Sequence, residues 1–219
     1  VEKIAESKAG IIKNGGKVVA ANCGDSIMSV IKRRCEAVGA ELTVADSNKA
    51  DVLETSVFGS VFSYSEMENI KISMCGEHQI QNVVTAIEAL KATGVEISEN
   101  ALRAGLKAAV LPARMEIRSR NPLVILDGAH NPQGIAAAAG ALAAQGKPVT
   151  AVIGMLKGKD YQKSLALLLP VAERVIFTDG FSENSVSAIN AARAASGFCN
   201  NISVVHGAEK AVINGLSSV

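Results

Sequence analysis

The second half of the chain alternates short apolar runs with helix-length segments, and few folds accept that order. Leu123–Leu126 is an apolar run ending in Asp127-Gly128, an alanine-rich stretch over 133–145 follows, and 149–153 is apolar again. A helix is then expected over 161–169, a strand over 174–178, a helix over 186–196, a strand over 202–205 and a last helix over 208–216. Strands of about five residues interleaved with helices of about ten are the pattern of βαβ units around a parallel sheet. Right-handed crossovers would place helices on both faces. We therefore expect an α/β chain whose second half is a small doubly wound, Rossmann-like domain.

Aromatic residues make up only 3% and Trp is absent, so the core must be built from Ala, Val, Ile and Leu. That palette suits strands covered on both faces. The first half is less regular. Strands are expected over 17–21 and 41–45 with a helix over 26–38 between them, and antiparallel strands over 52–64 and 70–74. Val83, Ala86, Ile87 and Leu90 follow helical spacing within 82–92. Ser98 is a credible N-cap for a helix from 99 to about 110, and Pro112 stops it. The domain boundary is placed within 111–122, giving domains over 1–114 and 115–219.

Charge excludes some functions. The net charge is +1, with 13 Lys/Arg against 14 Asp/Glu in residues 1–115 and 9 against 7 in the rest. No basic stripe marks a nucleic-acid partner. No apolar run reaches the roughly 18–20 residues of a membrane span, and no signal peptide is visible. Cys23, Cys35, Cys75 and Cys199 form no CxxC pair, as expected of free thiols in a reducing cytoplasm. Because the chain opens at Val1 within helix-like sequence, it is expected to be a piece of a longer protein.

The strongest chemical signal is Asp127-Gly128-Ala129-His130-Asn131-Pro132, at the end of a strand and the start of a helix. In open α/β sheets ligands bind at this carboxyl edge. Gly128 permits a tight turn, Asp127 can accept from hydroxyls and His130 can donate to anions. The alternative is a plain turn with Asp127 as a cap.

The hexapeptide resembles the signature of the folylpolyglutamate synthase and dihydrofolate synthase group of the Mur ligase superfamily. Three further stretches agree in order: Ala5-Glu6-Ser7-Lys8-Ala9-Gly10-Ile11 resembles A-x-E-K-A-G-I, Gly76-Glu77-His78-Gln79-Ile80-Gln81-Asn82 resembles G-x-H-Q-x-x-N, and Leu111-Pro112-Ala113-Arg114 resembles a P-G-R linker. The resemblance runs from Ile4 to about Tyr161. It implies that residues 1–114 are the C-terminal part of a central ATPase domain and that 115–219 form the Rossmann-like C-terminal domain.

By that resemblance the parent enzyme uses ATP and two magnesium ions to phosphorylate a folate carboxylate, and L-glutamate then attacks the acyl phosphate. Asp127 would hold the ribose, Asn82 the adenine, and Arg114 and His130 the phosphates. Lys8, carbamylated, would be a metal ligand, since a partly buried lysine with a depressed pKa can capture carbon dioxide. Without the resemblance Lys8 reads as a surface lysine pairing with Glu6 or Glu2, and Asn82 as a helix cap. Lys159, in Gly154-Met155-Leu156-Lys157-Gly158-Lys159-Asp160, would stabilise the acyl phosphate or orient glutamate. His78 is expected to be structural and His206 a turn residue.

Some positions depart from the family pattern. Ser7 stands for a usual Glu, Ala113 for Gly and Gly158 for Asp, and the segment from Thr178 to Asn184 differs from T-x-P-x-x-x-R-A. The sequence contains no G-x-x-x-x-G-K-[ST] phosphate loop, so these 219 residues alone are expected to be inactive. The partners expected are small molecules (folate, glutamate, ATP), and the parent is expected to be monomeric. Two other readings are another Mur-type amide ligase acting on a peptidoglycan precursor and a non-catalytic nucleotide-binding module.

Overall fold

The computed structural model describes residues 2–158 and 160–217. The chain divides into two compact units, one of residues 1–55 and 59–109, the other of 56–58 and 110–219. Among the described residues no helix is long and apolar enough to cross a membrane.

The first unit begins with helix α1 (Glu2–Ala9), followed by β1 (Lys17–Ala21), α2 (Asp25–Val38) and β2 (Glu41–Ala45). β1 and β2 are parallel, with Lys17 opposite Glu41 and Ala21 opposite Ala45. Ala5, Ala9 and Ile12 pack with Val30 and Cys35 to form a small core. α2 stops where Gly39 turns left-handed and its N–H bonds the Cys35 and Glu36 carbonyls, the usual way a glycine satisfies the last carbonyls of a helix.

A second sheet follows, with β3 (Ala50–Ser56), β4 (Gly59–Tyr64) and β5 (Met67–Ile72) in that order and β4 antiparallel to β5. Helix α3 (Glu77–Thr93) buries Ile80, Val83, Val84 and Ile87. This i, i+3, i+4, i+7 stripe packs into the core of Ala45, Phe62, Ile70 and Ile72. Helix α4 (Glu99–Ala108) completes the unit, with Ser98 Oγ accepting the Ala101 N–H at 3.3 Å.

α3 starts five residues before the expected helix over 82–92. Gly76 precedes it with φ 102°, and Gln79 and Ile80, in its first turn, are buried. Asn82 therefore lies one turn inside the helix and is not a cap.

In the second unit β6 (Glu116–Arg120) and β7 (Leu123–Leu126) form an antiparallel pair. Helix α5 (Pro132–Ala143) leads to β8 (Thr150–Gly154), α6 (Tyr161–Leu168), β9 (Arg174–Thr178), α7 (Ala188–Ala195), β10 (Ile202–Val204) and α8 (Ala208–Leu216). The last three strands make a parallel sheet in the order β10-β9-β8.

Both faces of this sheet are covered. Ile153, Val175 and Phe177 face Leu165 of α6 and Ala188, Ala191 and Ala195 of α7. Thr150, Val152 and Ile176 lie on the opposite face, where their side chains approach Gly215 of α8. The α/β architecture is as expected. One detail differs: β7, expected as the first strand of the parallel sheet, is hydrogen-bonded to β6, whose Glu-Ile-Arg-Ser-Arg sequence is too charged to read as a strand.

Candidate functional site

The turn from β7 into α5 is tied to residues 113–116, just upstream of and entering β6. Gly128 donates its N–H to the Ala113 carbonyl at 2.8 Å. Asp127 uses both carboxylate oxygens on backbone: Oδ2 accepts the Met115 N–H and Oδ1 the Ala129 N–H, each at 2.7 Å. Asn131 then caps α5, its Oδ1 accepting the Gly134 N–H at 2.8 Å, with Pro132 in the first helical position.

Gly128 is required by close approach. A Cβ there would lie 2.9 Å from Arg114 Nη1 and 3.2 Å from the Ala113 carbonyl oxygen. The Arg114 guanidinium thus rests against the turn and also donates to the Ala113 carbonyl at 3.1 Å. His130 closes the other side, with Nδ1 2.9 Å from the Gly128 carbonyl. A carbonyl only accepts, so this contact puts the proton on Nδ1 and leaves Nε2 for a ligand.

Arg114 and His130 are exposed, and Asp127 is half-buried. The result is a forked guanidinium and an imidazole on either side of one glycine, beside a helix N-terminus. Such an arrangement suits a phosphate or carboxylate. Asp127 serves here as the bracket of the turn, and the helix cap expected of it is supplied by Asn131. Each carboxylate oxygen still has a second lone pair for a hydroxyl.

The segment 113–116 is strained. Ala113 and Met115, on either side of Arg114, have φ of 52° and 48°, a region that costs an L-residue roughly 1–2 kcal/mol. Carboxylates hold both amides: Asp127 takes Met115, and Glu116 Oε2 takes the Ala113 N–H at 2.9 Å. Glu116 Oε1 is paired with Arg118 at 2.7 Å. The Ala113 amide first, and then Arg118, hold the Glu116 carboxyl below its ordinary pKa. Glu116 was not singled out from sequence.

The other candidates lie elsewhere. Asn82 is on α3 of the first unit and donates to Gln79 Oε1 at 3.1 Å, while Gln79 Nε2 meets His78 Nε2 at the same distance. His78 itself is exposed. Lys8 is exposed on the last turn of α1, so the partial burial assumed for its carbamylation is corrected: α1 buries Ala5 and Ala9 and turns Lys8 away from them. Among the described residues no three His, Cys, Asp or Glu side chains gather into a metal cluster. Lys159 lies outside the described residues.

The carboxyl edge of the parallel sheet holds a pair that sequence reasoning missed. Asp179, just after β9, accepts the Ala188 N–H at 2.8 Å and meets His206 Nδ1, just after β10, at 2.7 Å. The available signal was that both residues follow apolar strands of one sheet. Nearby, Lys157 N–H bonds the Asn184 carbonyl, Val186 N–H bonds the Met155 carbonyl, and Leu156 and Ser185 form an antiparallel bridge. Phe181 lies over Gly154, whose added Cβ would be 2.5 Å from the ring.

Residues 113–218 match the family model of the Mur ligase glutamate ligase domain. That part of the chain belongs to the Mur ligase family. It is 33% identical over 188 residues to the dihydrofolate synthase/folylpolyglutamate synthase of Bacillus subtilis, covering 81% of this chain and 44% of that protein. The chain also superposes on the crystal structure of folylpolyglutamate synthase from Thermotoga maritima with TM-score 0.85 and 30% identity, over 97% of this chain and 52% of the other. The Mycobacterium tuberculosis folylpolyglutamate synthase, complexed with ADP and AMPPCP, gives TM-score 0.87 and 27% identity over 99% and 52%. The chain thus spans about half the length of the relatives it matches, and its likeness is to the C-terminal portion of folylpolyglutamate synthases.

Proposed function

We propose that this chain supplies part of the nucleotide site and the amino-acid ligase domain of an ATP-dependent enzyme that joins L-glutamate to folate through an acyl phosphate. The observation that carries the reading is the placement of Arg114 and His130 on either side of Gly128, at the head of a Mur ligase domain. A relative of similar fold is complexed with ADP and AMPPCP, which supports a nucleotide as the ligand of that turn.

In this reading Arg114 and, in its imidazolium form, His130 Nε2 donate to phosphate oxygens, and Asp127, while bracketing the turn, accepts from a ribose hydroxyl. Asn82 contacts the adenine. Lys159, which lies outside the described residues, orients glutamate or offsets charge on the acyl phosphate. Acyl transfer of this kind needs positioning and charge neutralisation more than a protein nucleophile. Magnesium, when bound, neutralises phosphate charge. A carbamate on Lys8 belongs to the same proposal, and intact-mass measurement at raised bicarbonate would reveal it as one added carbon dioxide. Dihydrofolate synthesis is the second activity to test.

The experiment is phosphate release from ATP by the product of the complete gene, omitting tetrahydrofolate and L-glutamate in turn. Release that needs both supports the reading. Release independent of folate moves the assignment to another Mur-type amide ligase, and absence of ATP binding moves it to a non-catalytic module. The 219 residues alone are expected to release none, because they carry no phosphate loop.

A further inference from the structure

The strained segment before β6 has a holder that the nucleotide reading does not use. Ala113 adopts φ 52° with its N–H on the Glu116 carboxylate, while its carbonyl receives both the Gly128 N–H and Arg114 Nη1. One residue's backbone therefore links the Glu116 side chain to the guanidinium. The Glu116 side chain is only 19% exposed and is itself held by Arg118.

We propose that Glu116 is a positioning residue for Arg114, acting by clamping Ala113 in the left-handed conformation that fixes the carbonyl on which the guanidinium rests. This rests on the reading of Arg114 as a phosphate ligand. An alanine in that region is held against a steric penalty, so removing the clamp lets residue 113 relax and carries the Arg114 anchor with it. Glycine adopts the conformation without help. A glutamine at 116 keeps an oxygen that can accept the same N–H.

The test uses Glu116→Ala, Glu116→Gln and Arg114→Ala in the full chain, with and without Ala113→Gly. Affinities for ADP and adenosine are measured by calorimetry, and stability by urea unfolding. Glu116→Ala should weaken ADP by about fivefold to tenfold, less than the full loss of one charge-assisted hydrogen bond because Arg114 is displaced and not removed, and leave adenosine unchanged. Glu116→Gln should bind ADP nearly as the parent does. Ala113→Gly should restore ADP binding to Glu116→Ala and reduce its loss of stability. Arg114→Ala with Glu116→Ala should be no weaker than Arg114→Ala alone.

The proposal is overturned if Glu116→Ala binds ADP normally while Arg114→Ala does not, or if Ala113→Gly fails to restore binding. Should Arg114→Ala leave ADP affinity unchanged, or ADP not bind, the phosphate reading of Arg114 falls. The clamp then stands if Glu116→Ala costs less stability in the Ala113→Gly background than in the parent, and falls if the costs are equal.

Discussion

Asp127 reaches back twelve residues to accept the Met115 N–H at 2.7 Å, so the first residue of the hexapeptide signature also fastens the segment that carries Arg114. Its other oxygen accepts the Ala129 N–H. Asp127→Ala leaves two amides without their acceptor and should cost about 2–3 kcal/mol, against about 1 kcal/mol for Asp127→Asn, which keeps one oxygen. Urea midpoints with unchanged slopes would measure this. Equal costs for the two variants would mean that only one bond matters.

Gly128→Ala places a methyl group 2.9 Å from Arg114 Nη1 and 3.2 Å from a backbone oxygen. The side chain yields more readily than the backbone, so the guanidinium is expected to swing away. Stability should fall by about 1 kcal/mol, as for modest overpacking, while ADP affinity falls about tenfold. A variant that loses stability but binds ADP normally would remove Arg114 from the site.

The Asp179–His206 pair makes acid stability a local property. The Asp179 carboxyl titrates below its ordinary value, chiefly because it accepts the Ala188 N–H and secondly because of His206. A depressed carboxyl pKa contributes stability that is present above the unfolded value, about 3.9, and is lost as pH falls through the folded value. Asp179→Asn should therefore flatten the decline of the urea midpoint in acid. His206→Ala should flatten it less, because the backbone bond remains. An equal effect of both would make the histidine the main cause.

Ser98→Ala removes the cap of α4, where Oγ accepts the Ala101 N–H at 3.3 Å. The expected loss is about 1 kcal/mol, read from thermal unfolding of the chain. No change would show that solvent replaces this bond at no cost.

The parallel sheet was legible because each of its strands is a run such as Arg-Val-Ile-Phe-Thr bounded by turn residues, and because its helices have the right length. β6 was not legible, since Glu116, Arg118 and Arg120 interrupt its apolar character and its pairing with β7 is a tertiary choice. The first turn of α3 was hidden by its Glu-His-Gln sequence, although Gln79 is buried there. Sequence pointed to Asp127, Gly128, His130 and Arg114 but gave no account of what holds them. The partners are the backbone of Ala113 and Met115 and the carboxylate of Glu116, and no local pattern announces a backbone partner twelve residues away. Lys8 shows the reverse limit: the stretch around it could be matched, but its exposure depends on which face of α1 is packed.

Phe181 lying across Gly154 carries a consequence for how this domain can vary. Any side chain at 154 must evict the ring, and the ring sits on a loop already joined to residues 155–157 through Ser185, Asn184 and Val186. In a library randomised at both positions, survivors should therefore fall into two linked sets: glycine with an aromatic, or a larger residue with a small one. The two loops at this sheet edge would then diversify as a single inherited unit.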